Sequence, residues 1–531
     1  MLAAIAGLPI IWLSIAAIGG IAAGSNGLAA NMLPTALRET GMLMLWVGAL
    51  SGCVGLVAAW LVTHFDFPGR RLLEWALVLP LAIPTYLAAY GWVEVLGFTG
   101  PVQGLLRSLI GAQTLKDYWF PEIRSNWGAV IVLTSVLYPY VYLACRALFL
   151  MQSGTIGAAA RTLGASGART FFAVTLPLSR PALVVGMTLA MMEVVNDLGA
   201  VQYFGVNSLT AVIYSTWINR ANFPGAAQLA VTIVLVIAFL ILAEQRARQS
   251  RAYTLNRDSR VAPVRARLEG WRAGVASGFC TLLLFIGFAI PAGQLAVLAV
   301  RTLRPAAIDL TLSAGISTIT LGLAGSLLTV AVGLFAARQS SPRVAAPARG
   351  AIKLATLGYA IPGTVLALGL MQPLGQADLW FNRFTMWTMN WRPGLILSGS
   401  IAALLYVYCI RFLAVSHSTL DAAMRKRGDS MLDAGQVLGS RGLDLMLRVD
   451  LPTLTPAILS AATLVFVEIV KELPATLLLR PLGVETLATV VYGRANVGLF
   501  AEASLPALCI VIAGMVPMIL STQLSNRRYS S

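Results

Sequence analysis

Twelve stretches of about twenty mainly apolar residues recur along the chain, and they constrain its fold more than any other feature. A helix of that length can cross a hydrocarbon core of about 30 Å, and it satisfies its own backbone hydrogen bonds in lipid. Only 11% of the 531 residues are charged, too few to cover the surface of a water-soluble protein of this size. The sequence therefore predicts an all-α integral membrane protein with about 12 transmembrane helices, near residues 2 to 22, 41 to 62, 72 to 96, 128 to 149, 181 to 202, 226 to 244, 274 to 298, 314 to 336, 354 to 373, 394 to 416, 453 to 474 and 503 to 521.

Arginine and lysine are divided unequally between the loops on the two sides of the predicted membrane. One side has 24 of them in 132 loop residues, and the other has 11 in 135. Cytoplasmic loops keep the positive charge, so the richer side, which includes both termini, is predicted to face the cytoplasm. The net charge of +16 then reflects topology and contact with membrane lipid, and we predict no binding of nucleic acid.

Side chains suited to catalysis are sparse and scattered. The five cysteines all fall inside apolar stretches without paired spacing, and His64 and His417 are isolated, so no metal can be assigned from the sequence. None of the four lysines follows a glycine, as the phosphate-binding loop of an ATPase requires. We therefore expect a chain that is not an enzyme and binds no cofactor of its own.

The chain repeats itself after a shift of 275 residues, which superposes Gly164 on Gly439 and Glu193 on Glu468. Each half has six predicted spans, an even number, so both halves enter and leave on the same side and the repeat is parallel. A pseudo-twofold axis along the membrane normal follows, with a pathway expected between the halves. The predicted parts are a first transmembrane domain, an arginine-rich linker without assigned chemistry and a second transmembrane domain, at residues 36–244, 245–273 and 311–522.

Two moderately polar stretches, residues 157–177 and 433–452, lie between long apolar runs at equivalent positions of the halves. In the first, strong helix formers lead to Gly164, a typical C-terminal cap, and Pro177 suits the first turn of the next membrane helix. A short helix fixed between two membrane helices can act as a lever. The alternative is a helix resting on lipid headgroups, although this would not require the same spacing from glycine to Leu-Pro in both halves.

These stretches resemble the cytoplasmic loop signature of permease subunits in binding-protein-dependent ABC importers. In that family the loop is the coupling helix, which docks on the ATP-hydrolysing subunit. The family's leading glutamate is replaced by alanine in the first half and aspartate in the second, and glycine replaces the second alanine there, so asymmetric docking is expected. The resemblance implies that the coupling residues are Ala158, Ala159, Ala160, Gly164 and Pro177 in the first half, and Asp433, Ala434, Gly435, Gly439 and Pro452 in the second.

The resemblance also implies a fold, partners and a location. The fold would be that of a type I ABC importer permease, called MetI-like. The partners would be two copies of an ABC ATPase subunit, which uses ATP and Mg, and a periplasmic or extracellular solute-binding protein. The location would be the plasma (inner) membrane of a bacterium, crossed many times, with both termini in the cytoplasm.

Four acidic residues lie in pairs within apolar windows: Glu193 with Asp197, and Glu468 with Glu472 at the equivalent positions. The spacing of four predicts that each pair lies on one helical face. A charge at the centre of a membrane helix costs about 2.5–3.5 kcal/mol, so these residues should face protein or water and are candidates for the translocation pathway. They could receive a hard cation. Alternatively they brace the helix interface, with Lys471 neutralising Glu472 and a cation from another helix pairing with Glu193.

The segments MEVVNDLGAVQYFGV and VEIVKELPATLLLRPLGVETLATVVY around these acids resemble the ferric-iron branch of the same permease family. In that branch the two halves are often fused in one chain. The resemblance implies import of ferric iron or a ferric complex. Importers of thiamine, polyamines or other small cations have related permeases. The acid pairs alone would also allow an ion-coupled secondary transporter, but the two lever stretches argue against one.

Overall fold

The structure is a computed structural model, and its regular elements are helices except for one pair of two-residue strands within the described part of the chain. It describes residues 2–22, 26–114, 116–151, 164, 166–249, 265–340, 344–427, 431, 437, 439, 444, 447 and 451–529.

Within its described residues, the first half has ten helices of five or more residues. They are α1 Leu2–Ala22, α2 Asn26–His64, α3 Arg70–Ala76, α4 Thr85–Leu96, α5 Pro101–Ile110, α6 Asn126–Met151, α7 Leu176–Asn196, α8 Gly199–Tyr203, α9 Leu209–Ile218 and α10 Phe223–Gln249. Single helical turns at Leu79–Ala82 (3₁₀), Gly167–Thr170 (α) and Phe171–Thr175 (π) precede α4 and α7.

The described part of the second half also has ten helices. Its helices are α11 Gly270–Leu284, α12 Ile290–Arg301, α13 Pro305–Gln339, α14 Ala346–Thr356, α15 Gly363–Met389, α16 Ile401–Arg427, α17 Leu451–Lys471, α18 Pro474–Leu479, α19 Leu487–Asn496 and α20 Ser504–Tyr529. Single turns lie at Phe285–Ala289 (π), Leu357–Ala360 (3₁₀) and Phe500–Ala503 (3₁₀).

The helices account for the predicted membrane spans. Within the described residues, nine helices are long and apolar enough to cross a membrane, and counting each of two bent pairs as one span gives eleven. The remaining predicted window, 503 to 521, coincides with α20, whose side chains are described up to Val516. The prediction of an all-α membrane protein is confirmed.

Two of the predicted windows are not straight helices. The segments Arg70–Ala82 and Thr85–Ile110 meet at 95°, and Ala346–Ala360 and Gly363–Met389 meet at 110°. Ile83 and Ile361, which precede prolines, have extended backbone angles. A residue before proline is forced away from the helical region, so each helix ends there and a new one begins after the proline. The expectation of one continuous span near 72 to 96 and 354 to 373 is corrected accordingly.

The two halves interlock in a reciprocal way. The first helix of the first half, α1, packs against α15 of the second half, and α12 packs against α4 of the first. In each half, three helices at equivalent positions pack against one another. They are α2, α6 and α7 in the first half, and α13, α16 and α17 in the second. This arrangement is the one expected of two parallel six-helix repeats.

Close helix crossings in the first half depend on glycine. A Cβ atom added at Gly55 of α2 would lie 2.7 Å from the carbonyl oxygen of Tyr138, and one at Gly186 of α7 would lie 2.5 Å from the Cα of Val141. Both contacts are with the backbone of α6, which cannot move away. Small residues allow such approach between membrane helices, where packing replaces the hydrophobic effect as the source of association.

The linker between the halves is anchored at its end. Strand β1 (Phe65–Asp66) follows α2, and strand β2 (Ala266–Arg267) lies near the end of the linker. They pair in parallel, and the N–H of Leu268 donates to the carbonyl oxygen of Asp66 at 2.9 Å. The linker therefore returns to the first half before α11 begins.

Candidate functional site

A cavity of about 120 Å³ lies at the seam between the halves, and all four acidic residues singled out from the sequence line it. We call it the seam cavity. The first half contributes Glu193 on α7 and Asp197 just after it, and the second half contributes Glu468 on α17 and Glu472 just after it. Other polar side chains in its wall are Thr85, Tyr86, Tyr140, Asn196, Tyr359, Arg411 and Lys471.

Asp197 caps a short helix and does not lie on the face of a long one. Helix α7 ends at Asn196, and Asp197 has extended backbone angles, φ −70° and ψ 132°. Its Oδ1 accepts hydrogen bonds from the backbone N–H groups of Ala200 at 2.8 Å and Val201 at 3.1 Å, and the Thr85 hydroxyl donates to Oδ2. The predicted placement of Glu193 and Asp197 on one helical face is therefore wrong, because the helix stops between them.

Glu472 does the same at the equivalent position of the second half. Helix α17 ends at Lys471. The Oε1 of Glu472 accepts the N–H of Ala475 at 2.9 Å, and Oε2 accepts the N–H of Thr476 at 2.9 Å and its hydroxyl at 2.6 Å. The predicted pairing of Glu468 and Glu472 on one helical face is wrong for the same reason.

Both capping carboxylates are buried, with Asp197 7% and Glu472 5% exposed. The first N–H groups of a helix have no partner within it, and a carboxylate can satisfy them. Here the helices concerned are α8 and α18, which begin at the breaks after α7 and α17. These two acids therefore cap the short helices that begin at the breaks.

Glu193 bridges the two halves. Its Oε1 accepts hydrogen bonds from the hydroxyls of Tyr140 at 3.4 Å and Tyr359 at 3.5 Å. Tyr140 lies on α6 of the same half, whereas Tyr359 lies in the bend between α14 and α15 of the other. Both bonds are long, so they hold this carboxylate less firmly than the short bonds of the two caps.

Glu468 has a different partner from its repeat equivalent. Its Oε1 pairs with the Nζ of Lys471, one turn later on α17, at 3.0 Å. The prediction that Lys471 neutralises Glu472 is wrong, since it pairs with Glu468 and Glu472 is satisfied by backbone. The shift of 275 residues places Asn196 opposite Lys471, so the first half lacks this cation.

Arg411 belongs to the seam cavity although the sequence reasoning did not single it out. It lies within α16, and its Nη1 donates to the carbonyl oxygen of Ile361 at 3.3 Å. Gly363 leaves room for it, because a Cβ there would lie 2.8 Å from this nitrogen and 2.6 Å from Oε1 of Glu472. A lone arginine inside an apolar window was the available signal, since such a charge is costly in lipid. Its repeat equivalent is Val136, so this cation also belongs to one half only.

The two polar stretches are described at their glycines and their ends. Gly164 and Gly439 both lie in turns with left-handed backbone, at φ 78° and 90°, and a Cβ added at either would meet nothing within 4 Å. Pro177 and Pro452 each occupy the second position of the following long helix, α7 or α17. The other predicted coupling residues lie outside the described residues: Ala158, Ala159, Ala160, Asp433, Ala434 and Gly435.

Replacing Glu472 by alanine should destabilise the protein. Two backbone N–H groups and a hydroxyl would lose their buried acceptor, and leaving buried donors unsatisfied costs about 1–3 kcal/mol each. We expect a lower thermal unfolding midpoint for the purified variant in detergent. Glu122→Ala is the matched control, because that side chain is exposed in a loop and its loss should leave the midpoint unchanged. Equal midpoints for Glu472→Ala and the unmodified protein would contradict the capping role.

Within the described residues, no group of three or more histidine, cysteine or acidic side chains is arranged to hold a metal ion. The seam cavity instead offers separate carboxylates from both halves, with tyrosine hydroxyls and two cations between them. Together with two parallel six-helix repeats and matching glycine turns ahead of α7 and α17, this defines a membrane permease of the MetI-like class.

The chain belongs to the family of binding-protein-dependent transport system inner membrane components, whose family model matches residues 51–251. It is 24% identical over 498 residues to the Fe(3+)-transport system permease protein FbpB 2 of Haemophilus influenzae, covering 91% of this chain and 88% of that protein. The predicted family, with two fused halves, is confirmed.

Other relatives match a shorter part of the chain. The molybdenum transport system permease protein ModB of Escherichia coli K12 is 31% identical over 205 residues, which are 37% of this chain and 86% of that protein. The sulfate transport system permease protein CysW of Escherichia coli K12 is 36% identical over 148 residues, 28% of this chain and 47% of that protein.

Proposed function

We propose that this chain forms the translocation pathway of an ATP-driven importer for ferric iron or a ferric complex, delivered by an external solute-binding protein. The observation that supports this most is the seam cavity, where four carboxylates from both halves outnumber two cations. A hard cation prefers carboxylate oxygen, and a pathway between parallel repeats passes through their interface. A relative that matches across both halves is named as an Fe(3+)-transport permease.

Within the cavity we assign different roles to the acids. Glu193 and Glu468 contact the passing substrate, because the first is loosely held and the second is paired with a single side chain. Asp197 and Glu472 keep the helix breaks in shape, since their oxygens already accept short backbone bonds. In this proposal two of the acids contact the substrate and the other two keep the wall of the pathway in shape.

ATP hydrolysis is supplied in this proposal by two copies of an ABC ATPase subunit, which uses ATP and Mg. Each copy docks on one polar stretch, at the residues around Gly164 or Gly439. The charge distribution supports a cytoplasmic location for both stretches and both termini, since the richer loops are on their side.

A second candidate is import of an oxyanion. Two observations favour it. Arg411 and Lys471 place positive charge in the seam cavity, and relatives that match 37% and 28% of this chain are named for molybdenum and sulfate transport. Other small cations, such as thiamine or a polyamine, are a third possibility that the acidic lining would suit.

Uptake by the reconstituted complex separates these candidates. The chain, its ATPase and its binding protein would be placed in vesicles and offered labelled ferric nitrilotriacetate, thiamine, spermidine, molybdate and sulfate in turn. We expect ATP-dependent uptake of iron alone. Uptake of an oxyanion or of an organic cation in place of iron would overturn the ferric assignment. Uptake by the chain without the ATPase would overturn the importer mechanism in favour of a secondary transporter.

A further inference from the structure

A cationic pocket lies where the linker returns to the first half, well separated in sequence from the acids of the seam cavity. Strands β1 and β2 and the start of α3 form its walls, and its volume is about 680 Å³. Four arginines and a single aspartate line it, together with exposed apolar surface at Leu72. We call it the arginine pocket; its charged residues are Asp66, Arg70, Arg71, Arg265 and Arg267.

One arginine of the pocket is committed to the protein itself. Arg70 is buried, and its guanidinium pairs with Asp66 at 3.1 Å and with Glu74 at 2.8 Å. Arg146 of α6 pairs with the other oxygen of Glu74. The two acids nearest the pocket are therefore already occupied by Arg70 and Arg146.

The other three arginines are available to a ligand. Arg71 and Arg265 are exposed, and neither makes an ion pair with a described residue. Arg267 lies 3.9 Å from Glu269, and both side chains are about four-fifths exposed, so this contact is weak. Partial burial, and next the guanidinium of Arg70, lower the pKa of Arg265, although the carboxylates of Glu74 and Asp66 act in the opposite direction.

Exposed apolar side chains lie on α3 and α11, the two helices beside the pocket. Leu72 is 59% exposed, and Trp271 and Val275, near the start of α11, are 75% and 60% exposed. Tryptophan is enriched at the level of lipid headgroups, and exposed leucine and valine on a membrane helix face acyl chains. The pocket thus opens at the boundary between a cationic surface and a lipid-facing one.

We propose that the arginine pocket binds the phosphodiester headgroup of an anionic phospholipid through Arg71, Arg265 and Arg267. The arginine fork matches phosphate oxygens, and basic pockets beside membrane helices on the cytoplasmic side attract anionic headgroups. Since the linker supplies β2 and is present once, each chain has one such site. The lipid would neutralise arginines that come from both the linker end and the first half. The arginine pocket would bind this lipid whichever substrate the chain transports.

The experiment measures lipid retention by the purified full chain. Native mass spectrometry in detergent would count molecules of phosphatidylglycerol bound, against phosphatidylcholine as a neutral lipid. The test variant combines Arg71→Gln, Arg265→Gln and Arg267→Gln. The matched control combines Arg180→Gln, Arg246→Gln and Lys353→Gln, three exposed cations on the same predicted side and outside the pocket. We expect the test variant to retain one phosphatidylglycerol fewer and to bind it at least about tenfold more weakly, and the control to behave as the unmodified chain.

Competition identifies the source of the phosphate. Inorganic phosphate and glycerol phosphate should displace the lipid far less well than short-chain phosphatidylglycerol, because they lack the acyl chains that contact the apolar rim. Equal displacement by inorganic phosphate would overturn the lipid assignment in favour of a soluble anion. Equal retention by the test variant would overturn the site itself. If the triple variant fails to fold, Arg267→Gln alone, at a highly exposed side chain, must still weaken binding several-fold.

Discussion

Replacing Gly439 by valine is expected to uncouple ATP hydrolysis from transport in the reconstituted complex. Gly439 has a φ of 90°, where a β-branched residue is strained by about 1–2 kcal/mol, so the chain would leave the left-handed turn. The residues before Gly439, which we propose dock on the ATPase, would then be displaced and would no longer transmit its movement to α17. We expect uptake to fall at least about tenfold while ATP hydrolysis continues and the chain still inserts in the membrane.

The control for this prediction is Gly270→Val. Gly270 also has left-handed backbone, at φ 60°, and an added Cβ would meet nothing within 4 Å. It lies on the same predicted side of the membrane but outside the polar stretches, so the variant should transport normally. Gly164→Val examines the equivalent turn of the first half and should also uncouple. Normal uptake by Gly439→Val, or an equal loss in Gly270→Val, would refute the coupling role.

The membrane helices could be predicted because the thickness of the bilayer fixes their length. The bends near Ile83 and Ile361 were missed, although each residue precedes a proline and the steric rule was available. Apolar composition alone does not distinguish one straight span from two helices that meet at a right angle, since lipid tolerates both when the break is buried in protein. The repeat helps here, because proline at the same place in both halves marks a conformational requirement.

The acidic residues that line the seam cavity could be predicted from the sequence, but their geometry could not. Acids inside apolar windows signalled a protected site, and all four line it. A spacing of four residues places two side chains on one face only within a continuous helix. Here the carboxylates of Asp197 and Glu472 instead accept hydrogen bonds from the N–H groups of a new helix. Whether a side chain caps a new helix or the first helix continues depends on how the neighbouring helices pack, which a single sequence does not reveal. Arg411 was not singled out because most other residues of its predicted span are apolar.

Neutralising Glu193 and Glu468 together, as Glu193→Gln and Glu468→Gln, should lower uptake at least about tenfold while ATPase docking is retained. Both side chains line the seam cavity, and glutamine keeps their shape and one acceptor oxygen while removing the charge that would attract a cation. The measurements are initial uptake rate and co-purification of the ATPase. Glu122→Gln, a loss of charge at an exposed loop position, is the control and should transport at the normal rate.

A further variant separates substrate contact from bracing. Removing the charge of Glu468 leaves Lys471 without its partner at a site where its side chain is only 17% exposed, and an uncompensated buried charge is destabilising. Adding Lys471→Met to the double variant removes this stranded cation. If the acids contact the substrate, uptake stays low although stability returns, because the carboxylates are still missing. If they only brace the seam, uptake recovers with stability, and the proposed pathway through these carboxylates would have to be abandoned.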